Sequence, residues 1–345
     1  MGAEAEAFGL STNEIVSVTN FCGVAMNWPV TSGGLSETKV KVSGLPSGLK
    51  FTDKPVTSKV GSGKTAVTVT NVPANTIYGA PTAVSKTDKN GNVTPSKVLF
   101  TVTTAGKSTQ TFAINLYIDP LPDWAVGTFD GATYAGDSVE ASGLVQAFTV
   151  AVNGKISGKL LRDDGTWTLS ADSFARVEGL DDLENLEHLE KLAFHATVIG
   201  KNGKLLETNE VKVAASGVTG TTLSEAAVTW TAYQNLWKRA DTKADMPVIK
   251  KDIKVDYELV PGDANNKLTL TFKKDGAVAF AGKVGGASVS GSSQLVNDGE
   301  GWKVTLYAPA KGVFAGFCET FAVTLTMDDA NVVTNVAISL SDSDG

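Results

Sequence analysis

Pro120-Leu121-Pro122-Asp123-Trp124-Ala125-Val126-Gly127-Thr128-Phe129-Asp130-Gly131 is the stretch on which the organisation of the chain turns. Upstream of it, Phe112, Ile114, Leu116 and Ile118 occupy every second position, the period of a strand with one face on a core. Pro120 and Pro122 then end that strand, because proline offers no N–H to a sheet ladder. Downstream, glycines and aromatics punctuate a new run of strands. The stretch therefore reads as a junction between a small β-sandwich over residues 1–119 and a larger antiparallel β-domain over residues 120–345.

The totals agree with an all-β chain. Its 345 residues include 42% hydrophobic but only 19% charged residues, and 35 glycines. With abundant Thr, Val, Ser and Ala, that is the composition of many short strands and tight turns. A net charge of −7 and a pI near 5.0 oppose binding to a phosphate backbone, so nucleic acid is not an expected partner. The apolar runs are strand-sized, well short of the roughly 20 residues that cross a bilayer, and no membrane span is expected. Residues 1–10 carry neither a basic nor an apolar signal region, so any export signal is expected to lie outside this chain. Cys22 and Cys318 have no framework or metal-ligand spacing and read as two unpaired, core-filling thiols.

In the first domain, Val40 and Val42 alternate with Lys39, Lys41 and Ser43, Val67 and Val69 form a further strand, and Asn90-Gly91 marks a hairpin. Gly44-Leu45-Pro46-Ser47-Gly48-Leu49-Lys50-Phe51 and, one strand pair later, Ile77-Tyr78-Gly79-Ala80-Pro81-Thr82 place Gly and Pro where strands end or cross between sheets. Together these segments resemble the signature of bacterial immunoglobulin-like (Ig-like) domains, Gly-Leu-Pro-x-Gly-Leu-x-Phe followed by Ile-x-Gly-x-Pro-Thr. The resemblance covers residues 11–119 and implies an Ig-like sandwich.

Beyond the junction, Asn153-Gly154 and Asp164-Gly165, then Asp275-Gly276 and Gly285-Gly286, mark hairpins. Phe148 to Leu160 lines up with Leu268 to Val284, Gly158-Lys159 falling on Gly282-Lys283. The spacing predicts an internal duplication with halves at about 124–229 and 230–345, closing together into one barrel-like domain without exposed edges. Two segments depart from β periodicity. Gly179 to Phe194, with leucines at 180, 183, 186, 189 and 192, reads as a short helix or 3₁₀ piece, and Trp230 to Lys243 as a second short helix. The blocks around Trp124 to Gly131, Gly154 to Leu160 and Thr166 to Ser170 resemble modules that follow Ig-like repeats in large bacterial surface proteins. That resemblance implies an extracellular or cell-surface location and no particular catalysis.

No specific activity is legible in the residues. His188 and His195, with Glu187 and Glu190, lack a metal-binding spacing, and Asp181-Asp182 and Asp328-Asp329 lack the alternating ligands of a calcium loop. Gly61-Ser62-Gly63-Lys64-Thr65 lacks the first glycine of a phosphate loop, and neither cysteine nor serine sits in a nucleophile motif. No catalytic residue, cofactor or metal is expected. The binding candidates are aromatic: Trp28, Trp237 and Tyr233, with Arg239 beside them, where exposed rings would stack on a sugar or a partner side chain. Trp124, Trp167, Trp230 and Trp302 read as packing. The expectation is a non-catalytic module of a bacterial cell-surface or secreted protein, a spacer, adhesin or ligand-binding unit whose partner is a glycan or a surface protein. The alternative is a glycan-active or carbohydrate-binding domain that uses tryptophan and a carboxylate pair.

Overall fold

A computed structural model describes residues 8–9, 15–31, 39–60, 67–103, 108–179, 186–224, 227–238 and 246–341. Among the described residues it is nearly all β, with 65% in strands and 3% helical. Two compact units are present: Met1–Leu121 with Val152–Gly154 and Asp172–Arg176, and Pro122–Ala151 with Lys155–Ala171 and Val177–Gly345.

The first unit contains β1 (Phe8–Gly9), β2 (Val16–Phe21), β3 (Met26–Thr31), β4 (Lys39–Ser43), β5 (Leu49–Thr52), β6 (Val56–Val60), β7 (Val67–Val72), β8 (Thr76–Gly79), β9 (Lys86–Thr87), β10 (Val93–Thr94), β11 (Ser96–Thr103) and β12 (Thr109–Asp119). Two four-stranded sheets, β2-β12-β11-β4 and β1-β3-β8-β5, form the sandwich, and β6–β7 and β9–β10 are separate hairpins. The alternation of β12 is realised directly. Phe112, Ile114, Leu116 and Ile118 are buried in a core shared with Val98, Phe100, Met26 and Ile77.

The two glycine-rich segments of this unit meet in space. Leu49 pairs with Gly79 and Phe51 with Ile77 across β5–β8, and Thr82 N–H donates to the Ser47 carbonyl at 2.9 Å. Gly48 has φ +92, and a Cβ there would lie 2.0 Å from the Ala80 carbonyl oxygen. Only glycine fits that approach.

The second unit opens with β13 (Gly127–Ala135), β14 (Ala141–Val150), β15 (Ile156–Arg162), β16 (Gly165–Ala171), β17 (Arg176–Glu178), β18 (Ala193–Asn202), β19 (Leu205–Ala214), β20 (Gly217–Thr222) and β21 (Val228–Gln234). In the order β16-β15-β14-β13-β21-β20-β19-β18 these strands close an eight-stranded barrel, β16 pairing with β18 through Leu169 and Gly200. Phe129, Phe148, Leu169, Phe194 and Trp230 are completely or almost completely buried. Where β14 bulges, Ala147 takes φ +49 and its N–H donates to Asp130 Oδ1 at 2.8 Å, while Asn235 donates to Asp130 Oδ2 at 3.1 Å. The carboxylate thereby satisfies the donor that the bulge removes from the ladder.

The remaining strands are β22 (Ile253–Glu258), β23 (Lys267–Phe272), β24 (Ala277–Val284), β25 (Ala287–Gln294), β26 (Val296–Asn297), β27 (Trp302–Ala308), β28 (Phe317–Met327) and β29 (Val333–Leu340). They form two four-stranded meanders, β22-β23-β24-β25 and β26-β27-β28-β29, around a core that includes Phe272, Phe280, Leu306 and Phe321.

The barrel therefore closes within the segment up to Gln234, and the rest of the chain forms its own sandwich; the two expected halves do not share one barrel. The physical reason lies in β21. Trp230 and Ala232 are buried while Thr231 and Tyr233 are partly exposed, and the strand pairs with both β13 and β20, so residues assigned to the start of the second half close the first. In the described part of the segment expected to be a helix over Trp230 to Lys243, the chain is correspondingly a strand followed by a 3₁₀ turn, Leu236–Lys238, and residues 239–243 lie outside the described residues. In the acidic segment the 3₁₀ piece is Leu186–Lys191, and residues 180–185 lie outside the described residues.

The aligned hairpins share one close approach, although β14 bulges between Gln146 and Thr149 where β23 pairs Leu268 directly with Gly282. A Cβ on Gly158 would lie 2.9 Å from Phe148 Cα, and one on Gly282 would lie 2.8 Å from Leu268 Cα. The two glycines that the alignment pairs thus back onto two residues that it also pairs, Phe148 and Leu268.

Candidate functional site

The outer wall of the barrel carries Ala132 and Tyr134 on β13 beside Thr231 and Tyr233 on β21, neighbours through the register Ala132–Thr231 and Asp130–Tyr233. β27 is buried on both faces. Val304, Leu306 and Ala308 enter the sandwich core, whereas Lys303 and Thr305 turn, with Thr320 of β28, toward the barrel wall. Between these surfaces lies a cleft of about 240 Å³, lined also by Asp298. A second hollow of about 300 Å³ lies beside it, bordered by Trp124, Phe129 and Gly217, and Tyr233 and Asp298 line both.

Each of these side chains has an identifiable support. Asp298 sits in the turn between β26 and β27, where Oδ1 accepts the N–H groups of Glu300 and Gly301 at 3.0 Å and Oδ2 takes the Lys303 ammonium. Burial pushes the Asp298 carboxyl up, but the hydrogen bond from Lys303 and the two backbone N–H groups outweigh it and hold the group below the usual carboxylate range. The bond to Asp298 likewise holds Lys303 above its ordinary value despite desolvation. The Tyr233 ring rests over Gly217, where a Cβ would approach Cδ1 to 3.3 Å. Trp124 is set by the 3₁₀ turn Asp123–Ala125. Gln234 Nε2 ties that turn to the barrel by donating to the carbonyls of Asp123 at 2.8 Å and Val126 at 2.6 Å.

Both phenols at the cleft are raised, chiefly by burial, with Tyr233 adding to the shift of Tyr134 and Asp298 to that of Tyr233. They remain neutral donors and acceptors at neutral pH. Neither phenol oxygen has a hydrogen-bond partner among the described residues, whereas Thr305 and Thr320 bond to one another at 3.0 Å. The cleft thus presents ring surface and open hydroxyls beside a charge pair that is internally compensated.

Of the four binding candidates, Tyr233 stands at this cleft. Trp28 lies on β3 opposite Ile77 and packs against the first unit's core. Trp237 lies tilted against Trp302 at 5.7 Å between centroids, lies where a Cβ on Gly276 would come within 2.4 Å of its ring, and packs, partly buried, against the sandwich core. Arg239 lies outside the described residues. Spacing could not reveal the grouping of Tyr134 with Asp298 and Lys303, because Tyr134 comes from one hairpin and the other two from another. The one local signal was Asp298-Gly299-Glu300-Gly301, a turn motif without a functional signature.

His195 Nε2 lies 2.7 Å from Glu178 Oε2, with Lys212 3.6 Å from the same oxygen; the side chain of His188 lies outside the described residues. No group of three metal-ligating side chains occurs among the described residues. Asp328 Oδ1 accepts the N–H groups of Ala330 and Val332 at 2.9 Å, so this carboxylate caps its own turn. Asp181-Asp182 and Gly61 to Thr65 are outside the described residues. Both cysteines are free thiols. In the barrel, Arg162 stacks on Trp167 at 4.6 Å and bonds to Asp164 and Glu207. Glu319 is raised by burial and by the like charge of Glu140.

The chain matches no family model, no curated protein and no solved structure. Among the described residues no helix is long and apolar enough to cross a membrane.

Proposed function

We propose that the chain is a non-catalytic, ligand-binding module of a bacterial cell-surface or secreted protein, in which an Ig-like sandwich is followed by the barrel and second sandwich. The cleft at Tyr233 is its binding site. One observation carries the binding role: two phenols with open hydroxyls are held on strand backbone beside a fixed ion pair, which is the mixture of apolar surface and convergent polar groups found in ligand sites. Strands hold such groups more rigidly than loops do. The surface location and the Ig-like assignment rest on the Gly-Leu-Pro-x-Gly-Leu-x-Phe and Ile-x-Gly-x-Pro-Thr segments.

The test is binding of the immobilised full chain to a glycan array and to a panel of surface proteins, run beside Tyr233→Ala. Binding that falls with this substitution supports the proposal. Binding that is insensitive to it removes the cleft from the argument.

A second reading, a glycan-active domain, is favoured by Glu319, whose raised carboxyl beside Glu140 has the electrostatic pattern of a general acid next to a carboxylate. It requires hydrolysis of a glycoside that is lost in Glu319→Gln.

A further inference from the structure

The geometry points to a neutral, hydroxyl-rich sugar ring as the ligand of the cleft, with a second ring of the same chain accommodated in the hollow on the other side of Tyr233. This inference rests on the reading of the cleft as a binding site.

Three observations narrow the ligand class. The first is size. Hollows of about 240 and 300 Å³ fall at or below the small end of the roughly 300–1,000 Å³ of pockets for drug-sized ligands, so each suits one small ring. Because Tyr233 and Asp298 line both, an occupant continuing from one to the other passes the phenol, as a linear disaccharide would.

The second is charge. The Lys303 ammonium is engaged by Asp298, and Glu300 stands in the same turn. A phosphate, sulfate or carboxylate would meet these two acidic groups, whose charges already act on Tyr233. A cationic ligand would meet Lys303 and disturb the pair. A neutral ligand meets neither penalty.

The third is hydrogen-bonding capacity. The open hydroxyls of Tyr134 and Tyr233 each donate and accept, and the ammonium of Lys303 retains donors beyond its single partner. Vicinal hydroxyls of a sugar also donate and accept, while the C–H face of its ring can cover an aromatic surface. A purely apolar ligand would leave these groups desolvated and unpaired.

The experiment titrates the full chain at pH 7 with methyl β-galactopyranoside, methyl α-mannopyranoside and methyl N-acetyl-β-glucosaminide, and with the β1–4 disaccharides of galactose, mannose and N-acetylglucosamine. Galacturonic acid, a sulfated galactoside and glucosamine serve as charged comparators. Binding is followed by calorimetry and by chemical shifts of tyrosine ring protons. The expected result is saturable binding of at least one neutral glycoside, tighter for its disaccharide. Binding should weaken at least tenfold in Tyr233→Ala. It should weaken about fivefold in the ring-preserving Tyr134→Phe/Tyr233→Phe double variant, which loses only hydroxyl bonds. The latter variant keeps the test meaningful if the alanine variant folds poorly, and thermal melts monitor both.

If charged saccharides bind through Tyr233 and neutral ones do not, the sugar class assigned here is wrong while the cleft stands as a site. If neutral sugars bind but neither tyrosine variant weakens them, the cleft reading fails together with this inference. If no saccharide binds while the protein panel shows a partner lost in Tyr233→Ala, the inference alone fails.

Discussion

Gly220→Ala should destabilise the barrel by about 2–4 kcal/mol, and Trp230 should be the reason. Gly220 lies on β20 between Val211 of β19 and Trp230 of β21, and the indole lies across it. An ideal Cβ at this position would be 2.0 Å from Trp230 Cε2, 2.2 Å from Cζ2 and 2.5 Å from Nε1, all closer than the 3.0 Å that real Cβ atoms respect. The ring has nowhere to retreat: Trp230 is 1% exposed and lies 5.2 Å from Phe148 between centroids. Overpacking of this kind costs about 1–3 kcal/mol when the core adjusts, and the ceiling, full loss of a buried tryptophan, is about 3–5 kcal/mol. Replacing glycine also lowers unfolded-state entropy, which returns at most about 1 kcal/mol. The assay is urea unfolding of the parent, Gly220→Ala, Trp230→Leu and the double variant, read from midpoints at constant slope. In the Trp230→Leu background the added methyl group should cost less than about 0.5 kcal/mol, because the atoms it strikes are gone. An unchanged midpoint in the single variant, or equal costs in both backgrounds, would refute the close approach.

The remaining predictions concern titratable groups. Cys318 is pushed up to about 12, chiefly by burial, and Cys22 is also raised by burial, so in native protein at pH 8 neither should react with a disulfide reagent at the rate of an exposed thiol; after denaturation without reductant both should. Fast native labelling of Cys318 would contradict its placement against the Gly143 carbonyl, 3.6 Å away. Asp298 is depressed in the folded state, so its contribution to stability is present above its unfolded value near 3.9 and is lost as pH falls through the folded value; Asp298→Asn should flatten the acid limb of a urea-midpoint profile, and an unaltered slope there would count against the pair with Lys303. Glu319 has the opposite sign. Its raised carboxyl favours the folded state at low pH and weighs against it as pH rises, so Glu319→Gln should raise the midpoint at pH 7 and leave it nearly unchanged below about pH 4, whereas a lower midpoint at pH 7 would show that the charge is compensated.

The features legible in the sequence are those specified within a few residues. Phe112, Ile114, Leu116 and Ile118 announce β12 because a strand facing one core has a strict period of two. Asn153-Gly154, Asp164-Gly165 and Asp275-Gly276 announce hairpins because each glycine supplies the positive φ that the turn requires, +76, +120 and +72. The closure of the barrel has no such local mark. Whether Trp230 begins a new half or ends an old one depends on which edges Val228–Gln234 finds, and it finds Gly127–Ala135 on one side and Gly217–Thr222 on the other. The spacing of Tyr233, Leu236 and Trp237 resembled a helix because a strand ending in a 3₁₀ turn puts aromatic and aliphatic residues at the same intervals.

The cleft tests that distinction more severely, because its residues have no local pattern in common. Tyr134 and Tyr233 come from two strands of one barrel wall, and Asp298 and Lys303 from a hairpin of the following sandwich. Each residue taken alone has an ordinary explanation: a tyrosine on the outer face of a strand, an aspartate in an Asx turn, a lysine on a half-buried strand. What brings them together is that β27 is buried on both faces. Val304 and Leu306 require the sandwich core, so the intervening Lys303 and Thr305 must point the opposite way, and the barrel wall lies there. Lys303 cannot enter that seam uncompensated, and Asp298, five residues back across the turn, supplies the compensation while its own backbone bonds hold the turn in place. The same alternation that builds the core on one side of β27 therefore delivers a neutralised charge pair to two open phenols on the other.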